Sequence, residues 1–223
     1  MSETDEEQEV KKGKFYKFVA GNGVMNLPNK LTISRVVMIP LFVLFFYLDA
    51  FKGHYFCALA VFAIASFTDF LDGYLARKYK LVTNLGKFLD PVADKVLVAA
   101  AMIIMLTQPY FFNIFLGDWA IICAGCCVAV IMARELIVSG FRMVAADARV
   151  VIAADKAGKY KTVCQDLSIV VLLVFAGFYE FFEGVTAVRI VNYVGLGLFA
   201  LATLLTVISG INYLIKNRQV LKQ

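Results

Sequence analysis

An all-α integral membrane protein with six transmembrane helices and both termini in the cytoplasm is the architecture this sequence predicts. Three observations predict it. Hydrophobic residues make up 61% of the chain, against about 45–50% in ordinary soluble domains, and the mean hydropathy is +0.77. The apolar residues fall into long runs separated by short links. Basic residues gather in alternate links.

The runs cover residues 30–50, 54–79, 88–107, 119–145, 157–180 and 187–215. Each matches or exceeds the roughly 20 residues that cross a hydrocarbon core. A helix satisfies its backbone groups within one segment, which lipid demands, so a spanning sheet finds no support. Pro28 ahead of the polar turn Asn29-Lys30-Leu31-Thr32 reads as the start of the first helix. Before it, residues 1–24 form an acidic tail and interfacial segment, distinct from a membrane domain over 25–223. The first ten residues are polar and acidic and predict disorder. Residues 13–25 mix Phe15, Tyr16, Phe18 and Val19 with lysines, the composition of a short interfacial helix. The acidic start predicts no cleavable signal peptide.

Charge placement sets the orientation. Lys11, Lys12, Lys14, Lys17 and Lys30 precede or open the first run. Lys78, Lys80 and Lys87 lie between the second and third, and Arg149, Lys156, Lys159 and Lys161 around the link between the fourth and fifth. The tail adds Lys216, Arg218 and Lys222. The other links hold only Lys52 and, at the edge of the last run, Arg189. Positive residues stay cytoplasmic. The net charge of +5 is modest and suits anionic lipid headgroups, so no nucleic-acid partner is needed to explain it. Cys57, Cys123, Cys126, Cys127 and Cys164 all fall in or at the ends of the runs. They read as small packing residues, and no disulfide is predicted.

Four acids then stand out. Asp69 and Asp72 are three apart, and Asp90 and Asp94 four apart, so each pair shares a helix face. Carboxylates are costly near a bilayer and mark function there. Four of them on facing helices repel unless cations sit between, and carboxylate oxygens favour hard divalent ions such as Mg²⁺ or Mn²⁺. The pattern is D-x2-D-G-x2-A-R-x8-G-x3-D-x3-D, from Asp69 through Gly73, Ala76, Arg77 and Gly86 to Asp94.

That spacing resembles the signature of the CDP-alcohol phosphotransferase family, with every position filled. The resemblance implies two divalent cations held by Asp69, Asp72 and Asp90, with Asp94 completing the shell and acting as general base. The cations would neutralise the diphosphate of a CDP-linked lipid and stabilise the departing CMP. Gly73, Ala76 and Gly86 would let the nucleotide approach the backbone, although Gly86 also reads as a plain turn glycine. Arg77 would pair with phosphate, anchor the helix, or both. Asn29 and Thr32 would touch the nucleotide or merely cap the helix, and Arg35 lies in the same stretch.

A second cluster bears on the acceptor. Arg134 and Arg142 are eight apart, a little over two helical turns, and so share a side of the fourth helix. Glu135 follows Arg134, and Lys159 and Lys161 open the fifth helix. A pocket of Arg134, Arg142, Lys159 and Lys161 suits an acceptor carrying phosphate. The A-R-E and G-K-x-K-T segments resemble the branch of the family that uses glycerol 3-phosphate. The implied substrates are CDP-diacylglycerol and glycerol 3-phosphate, giving phosphatidylglycerophosphate and CMP. The likeness also implies a multi-pass homodimer among the lipids of the bacterial inner membrane, its active site facing the cytoplasm. Inositol phosphate is the rival acceptor. A small cation transporter is the rival class, disfavoured because the acids sit at the membrane edge.

Overall fold

The computed structural model describes residues 26–79, 84–112, 118–147 and 156–217, with some side chains inside these ranges left undescribed. The acidic tail and interfacial segment therefore lie outside the described residues. Among the described residues there are six long helices: α1 (Leu27–Tyr47), α2 (His54–Tyr79), α3 (Asn84–Met105), α4 (Asp118–Asp147), α5 (Lys156–Tyr179) and α6 (Thr186–Lys216). A single 3₁₀ turn, Pro109–Phe111, follows α3. No strand occurs among the described residues.

Five stretches are long and apolar enough to cross a membrane: Asn29–Tyr47, His54–Leu75, Trp119–Met143, Gly158–Tyr179 and Thr186–Lys216. Within α3 the described side chains form a shorter apolar stretch, Lys95–Met105. The sequence places Lys87, Asp90 and Asp94 ahead of that stretch, at side chains outside the described residues. Exposed apolar side chains such as Val37, Phe67, Leu136 and Leu204 cover the outer faces, as expected of surfaces that meet lipid.

Helix α1 packs on α2 and α3, α5 on α6, α2 on α5, and α4 on α6. Glycines allow the close approaches that helix association in lipid exploits. A Cβ on Gly195 of α6 would stand 2.7 Å from Leu172 Cδ2 of α5. One on Gly177 of α5 would stand 2.7 Å from Phe56 Cζ of α2. The turns before α2 and α6 use Gly53 and Gly184 at φ of 95° and 84°, a region open to glycine at no steric cost.

An aromatic cluster packs one end of the core. Phe46 of α1 meets Tyr55 of α2 edge-on at 5.2 Å and Phe111 of the 3₁₀ turn at 6.1 Å. Tyr110 stacks on Tyr179 of α5 at 5.3 Å. Burial pushes the Tyr110 phenol well above its usual range. Polar links tie the same end. The His54 ring lies 3.0 Å from the Phe45 carbonyl and 2.6 Å from Glu180 Oε1, while the Gly53 amide donates to Glu180 Oε2. Each aromatic pair adds roughly 0.5–1.5 kcal/mol beyond area burial. This end is bolted, and Arg35, Asp69 and Asp72 meet at the other.

Candidate active site

At the opposite end the start of α1 meets the end of α2. Asn26 caps α1: its Oδ1 accepts from the Asn29 amide at 3.0 Å, satisfying one of the orphan donors of a first turn. Asn29 and Thr32 are thus not the cap. Both are buried inside α1's first turns. The Thr32 hydroxyl donates to Asp72 Oδ2 at 3.3 Å.

Three residues along from Thr32, on the same face, Arg35 is 0% exposed. Its Nη1 lies 2.6 Å from Asp69 Oδ1 and its Nη2 2.5 Å from Asp72 Oδ2. The Asp72 side chain is 4% exposed and that of Asp69 41%. The structure therefore brings both α2 acids together around one cation. Gly73 follows, half-buried. The side chains of Ala76, Arg77, Asp90 and Asp94, and Gly86, lie outside the described residues, although α3 runs through 86–94. Among the described residues no third metal-binding side chain joins the pair. The fit to a divalent cation rests on the donor set: hard carboxylate oxygens from two residues, already converging on one positive group.

A second polar centre lies between α3, α4 and α5. Glu135 of α4 is its hub. Its Oε1 accepts from Lys161 Nζ at 2.5 Å and from Arg134 Nη1 at 2.9 Å. Lys95 Nζ donates to the Glu135 carbonyl at 3.3 Å and lies 4.0 Å from Oε2. Arg134 Nη2 also donates to Ser209 of α6 at 3.1 Å. A Cβ on Gly210 would come within 3.0 Å of Arg134 Cγ, so this glycine leaves room for the arginine stem. Lys161 is 2% exposed. Lys95, Glu135, Lys161, Thr162 and Gln165 line one cavity.

The four predicted acceptor residues thus divide. Arg134 and Lys161 converge on Glu135. Arg142 is exposed and lies over the Tyr213 ring of α6 at 5.9 Å. Lys159 is also exposed, since two residues of helix turn it to the far side from Lys161. The sequence reading did not assign Arg35 or Lys95 to a site. Each had a signal: Arg35 is a lone cation within an apolar run, and Lys95 directly follows Asp94.

The CDP-alcohol phosphatidyltransferase family pattern matches residues 25–208. Several curated proteins are similar along most of their length, and each carries the name CDP-diacylglycerol–glycerol-3-phosphate 3-phosphatidyltransferase. One from Bacillus subtilis is 37% identical over 89% of this chain and 98% of its own. One from Sodalis glossinidius is 43% identical over 67% of this chain and 77% of its own. One from Rickettsia typhi is 36% identical over 84% of this chain and 94% of its own. No solved structure matches significantly. With the acid motif, the buried Arg35 and the family pattern over most of its length, this chain belongs to the CDP-alcohol phosphatidyltransferase family.

Proposed function

We infer that the protein transfers the phosphatidyl group of CDP-diacylglycerol to the primary hydroxyl of sn-glycerol 3-phosphate, giving phosphatidylglycerophosphate and CMP. The observation that carries this reading is the near-full-length likeness to phosphatidyltransferases of that name. Lys95 and Lys161 line a cavity with Glu135 and Asp166, and Arg134 meets Glu135 beside it; three cations against two acids suit an acceptor that carries phosphate.

Asp69, Asp72, Asp90 and Asp94 hold two divalent cations, Mg²⁺ or Mn²⁺. When bound, these supply charge neutralisation for the diphosphate and for the departing CMP. Thr32 and Arg35 fix the carboxylates of α2 in place. Asn29, Thr32, Gly73, Ala76, Arg77 and Gly86 form the CDP subsite, the small residues leaving space and Arg77 pairing with phosphate. Asp94 accepts the proton from the attacking hydroxyl. Arg134 and Lys161 hold the acceptor's phosphate, while the exposed Arg142 and Lys159 add long-range attraction for the anion. Phe67, Phe70 and Tyr74 stand exposed along α2 beside the acids, a surface for acyl chains arriving from the side.

The membrane reading follows the same logic. All six helices cross: α3 has 22 residues, about 33 Å at the α-helical rise. Both termini and the acid cluster face the cytoplasm of a bacterial inner membrane, by the distribution of lysine and arginine. The membrane domain is residues 25–223, the tail is a separate segment, and the working unit is a homodimer.

The test is direct. Purified protein in detergent receives radiolabelled glycerol 3-phosphate, CDP-diacylglycerol and Mg²⁺ or Mn²⁺. Label should move into the lipid phase and CMP should appear in equal amount. Absence of lipid label, with turnover of inositol phosphate or serine instead, would sink the acceptor assignment and leave the family untouched.

A further inference from the structure

The cavity that holds Lys161 and Glu135 has a polar floor on α5. Gln165 stands four residues beyond Lys161, on the same helix face. It is 4% exposed and lines the cavity. Its Nε2 contacts Met102 Sδ at 3.3 Å, a weak acceptor. Among the described residues, no group hydrogen-bonds its Oε1. Ser168, three residues further along the same face, is 1% exposed, and its hydroxyl is likewise unpaired among the described residues. Leaving buried polar atoms unsatisfied is costly. A leucine or methionine would pack against Met102 without that cost. The polar group is explained if a ligand hydroxyl completes it.

We propose that Gln165 is a specificity-determining residue that recognises the secondary hydroxyl of the phosphorylated acceptor. The proposal rests on the acceptor assignment above. Four residues of α-helix advance about 6 Å. With the acceptor's phosphate at Lys161 and Arg134, its neighbouring carbon hydroxyl reaches the level of Gln165, where it donates to Oε1. Inositol phosphate also carries a hydroxyl next to its phosphate-bearing carbon, so Gln165 reads the presence of that hydroxyl and the rest of the cavity reads size.

The experiment compares two acceptors that share the phosphate and the primary hydroxyl: glycerol 3-phosphate and 3-hydroxypropyl phosphate, which lacks the middle hydroxyl. The wild-type enzyme should favour glycerol 3-phosphate by about 10- to 100-fold in kcat/KM, the range expected for one buried hydrogen bond. Gln165→Leu and Gln165→Met should bring that ratio to within about threefold of one, through loss on glycerol 3-phosphate alone. A wild-type ratio near one would overturn the proposal, and needs no variant to fold. Equal losses on both acceptors would overturn it too, since that pattern belongs to a packing residue or one holding an ordered water. If the wild type uses neither phosphate yet turns over an unphosphorylated alcohol, the acceptor assignment itself falls and the proposal with it.

Discussion

Replacing Arg35 by methionine keeps the apolar stem and removes the charge that Asp69 and Asp72 share. Removing one partner of a buried ion pair costs about 3–5 kcal/mol, because the other charge is stranded. Asp72, at 4% exposure, falls under that figure. Asp69, at 41%, is screened by solvent and adds only about 0–1 kcal/mol. A loss near the lower bound, about 3 kcal/mol, is expected in the presence of a chelator. For a chain of this size each kcal/mol shifts Tm by roughly 2–4 °C, so the variant should melt about 6–12 °C below the wild type. Divalent cations should then rescue it. Cation at about 100 times its Kd returns about 2.7 kcal/mol, and in the variant no guanidinium competes for the carboxylates. The assay is thermal unfolding in detergent, followed by circular dichroism, with EDTA or with millimolar Mn²⁺. Mn²⁺ should raise the melting temperature of the variant by about 5–11 °C. A variant whose melting temperature does not rise with Mn²⁺ would refute the argument, because the α2 carboxylates would then not be cation ligands.

Four further outcomes are expected. Asp94→Asn should abolish phosphatidyl transfer while leaving the melting temperature within about 2 °C of wild type, checked by the radiolabel assay and the same unfolding scan; full activity would remove the proposed base. Lys161→Ala should raise KM for glycerol 3-phosphate by about 10- to 100-fold, the size of a lost charge-assisted hydrogen bond, and leave KM for CDP-diacylglycerol within about twofold. Gly177→Ala should destabilise by about 1–3 kcal/mol, since its Cβ would stand 2.7 Å from the Phe56 ring. Gly140→Ala, with nothing within 4 Å of the added carbon, should be neutral or slightly stabilising; a comparison of the two melting temperatures checks both.

The helices were legible in the sequence because apolar run length is a one-dimensional quantity. The run read as 54–79 is α2 to the residue, and the run read as 187–215 differs from α6 by one residue at each end. The third run, read as 88–107, overlaps α3 but misses its start at Asn84. What periodicity cannot supply is which helix faces which. It placed Asp69 and Asp72 on one face but gave no means of knowing that Arg35, 37 residues from Asp72, lies between them. It put Arg134 and Arg142 on one side of α4. That side turned out to be the α6 side for both, where Arg134 meets Ser209 and Arg142 meets Tyr213. Lys159 and Lys161 appeared as one basic cluster because they are close in sequence, yet a helix sends them to different sides. Gln165 carried no signal at all, since a lone glutamine in an apolar run gains meaning only from the cavity beneath Lys161.

The bridge from Arg35 to the acids of α2 also bears on how the chain enters the bilayer during synthesis. A charged residue at the centre of a nascent helix costs about 2.5–3.5 kcal/mol to insert, with smaller costs toward the edge. Helix α1 emerging alone carries Arg35 uncompensated beyond the Lys30 at its edge, and α2 alone carries Asp69 and Asp72 ahead of the Arg77 and Lys78 at its end. Joined by the six-residue link 48–53, they can enter together as a hairpin, with one charge of each sign already cancelled. The residue that bridges the α2 acids in the finished protein thereby also favours paired over stepwise insertion of the first two helices.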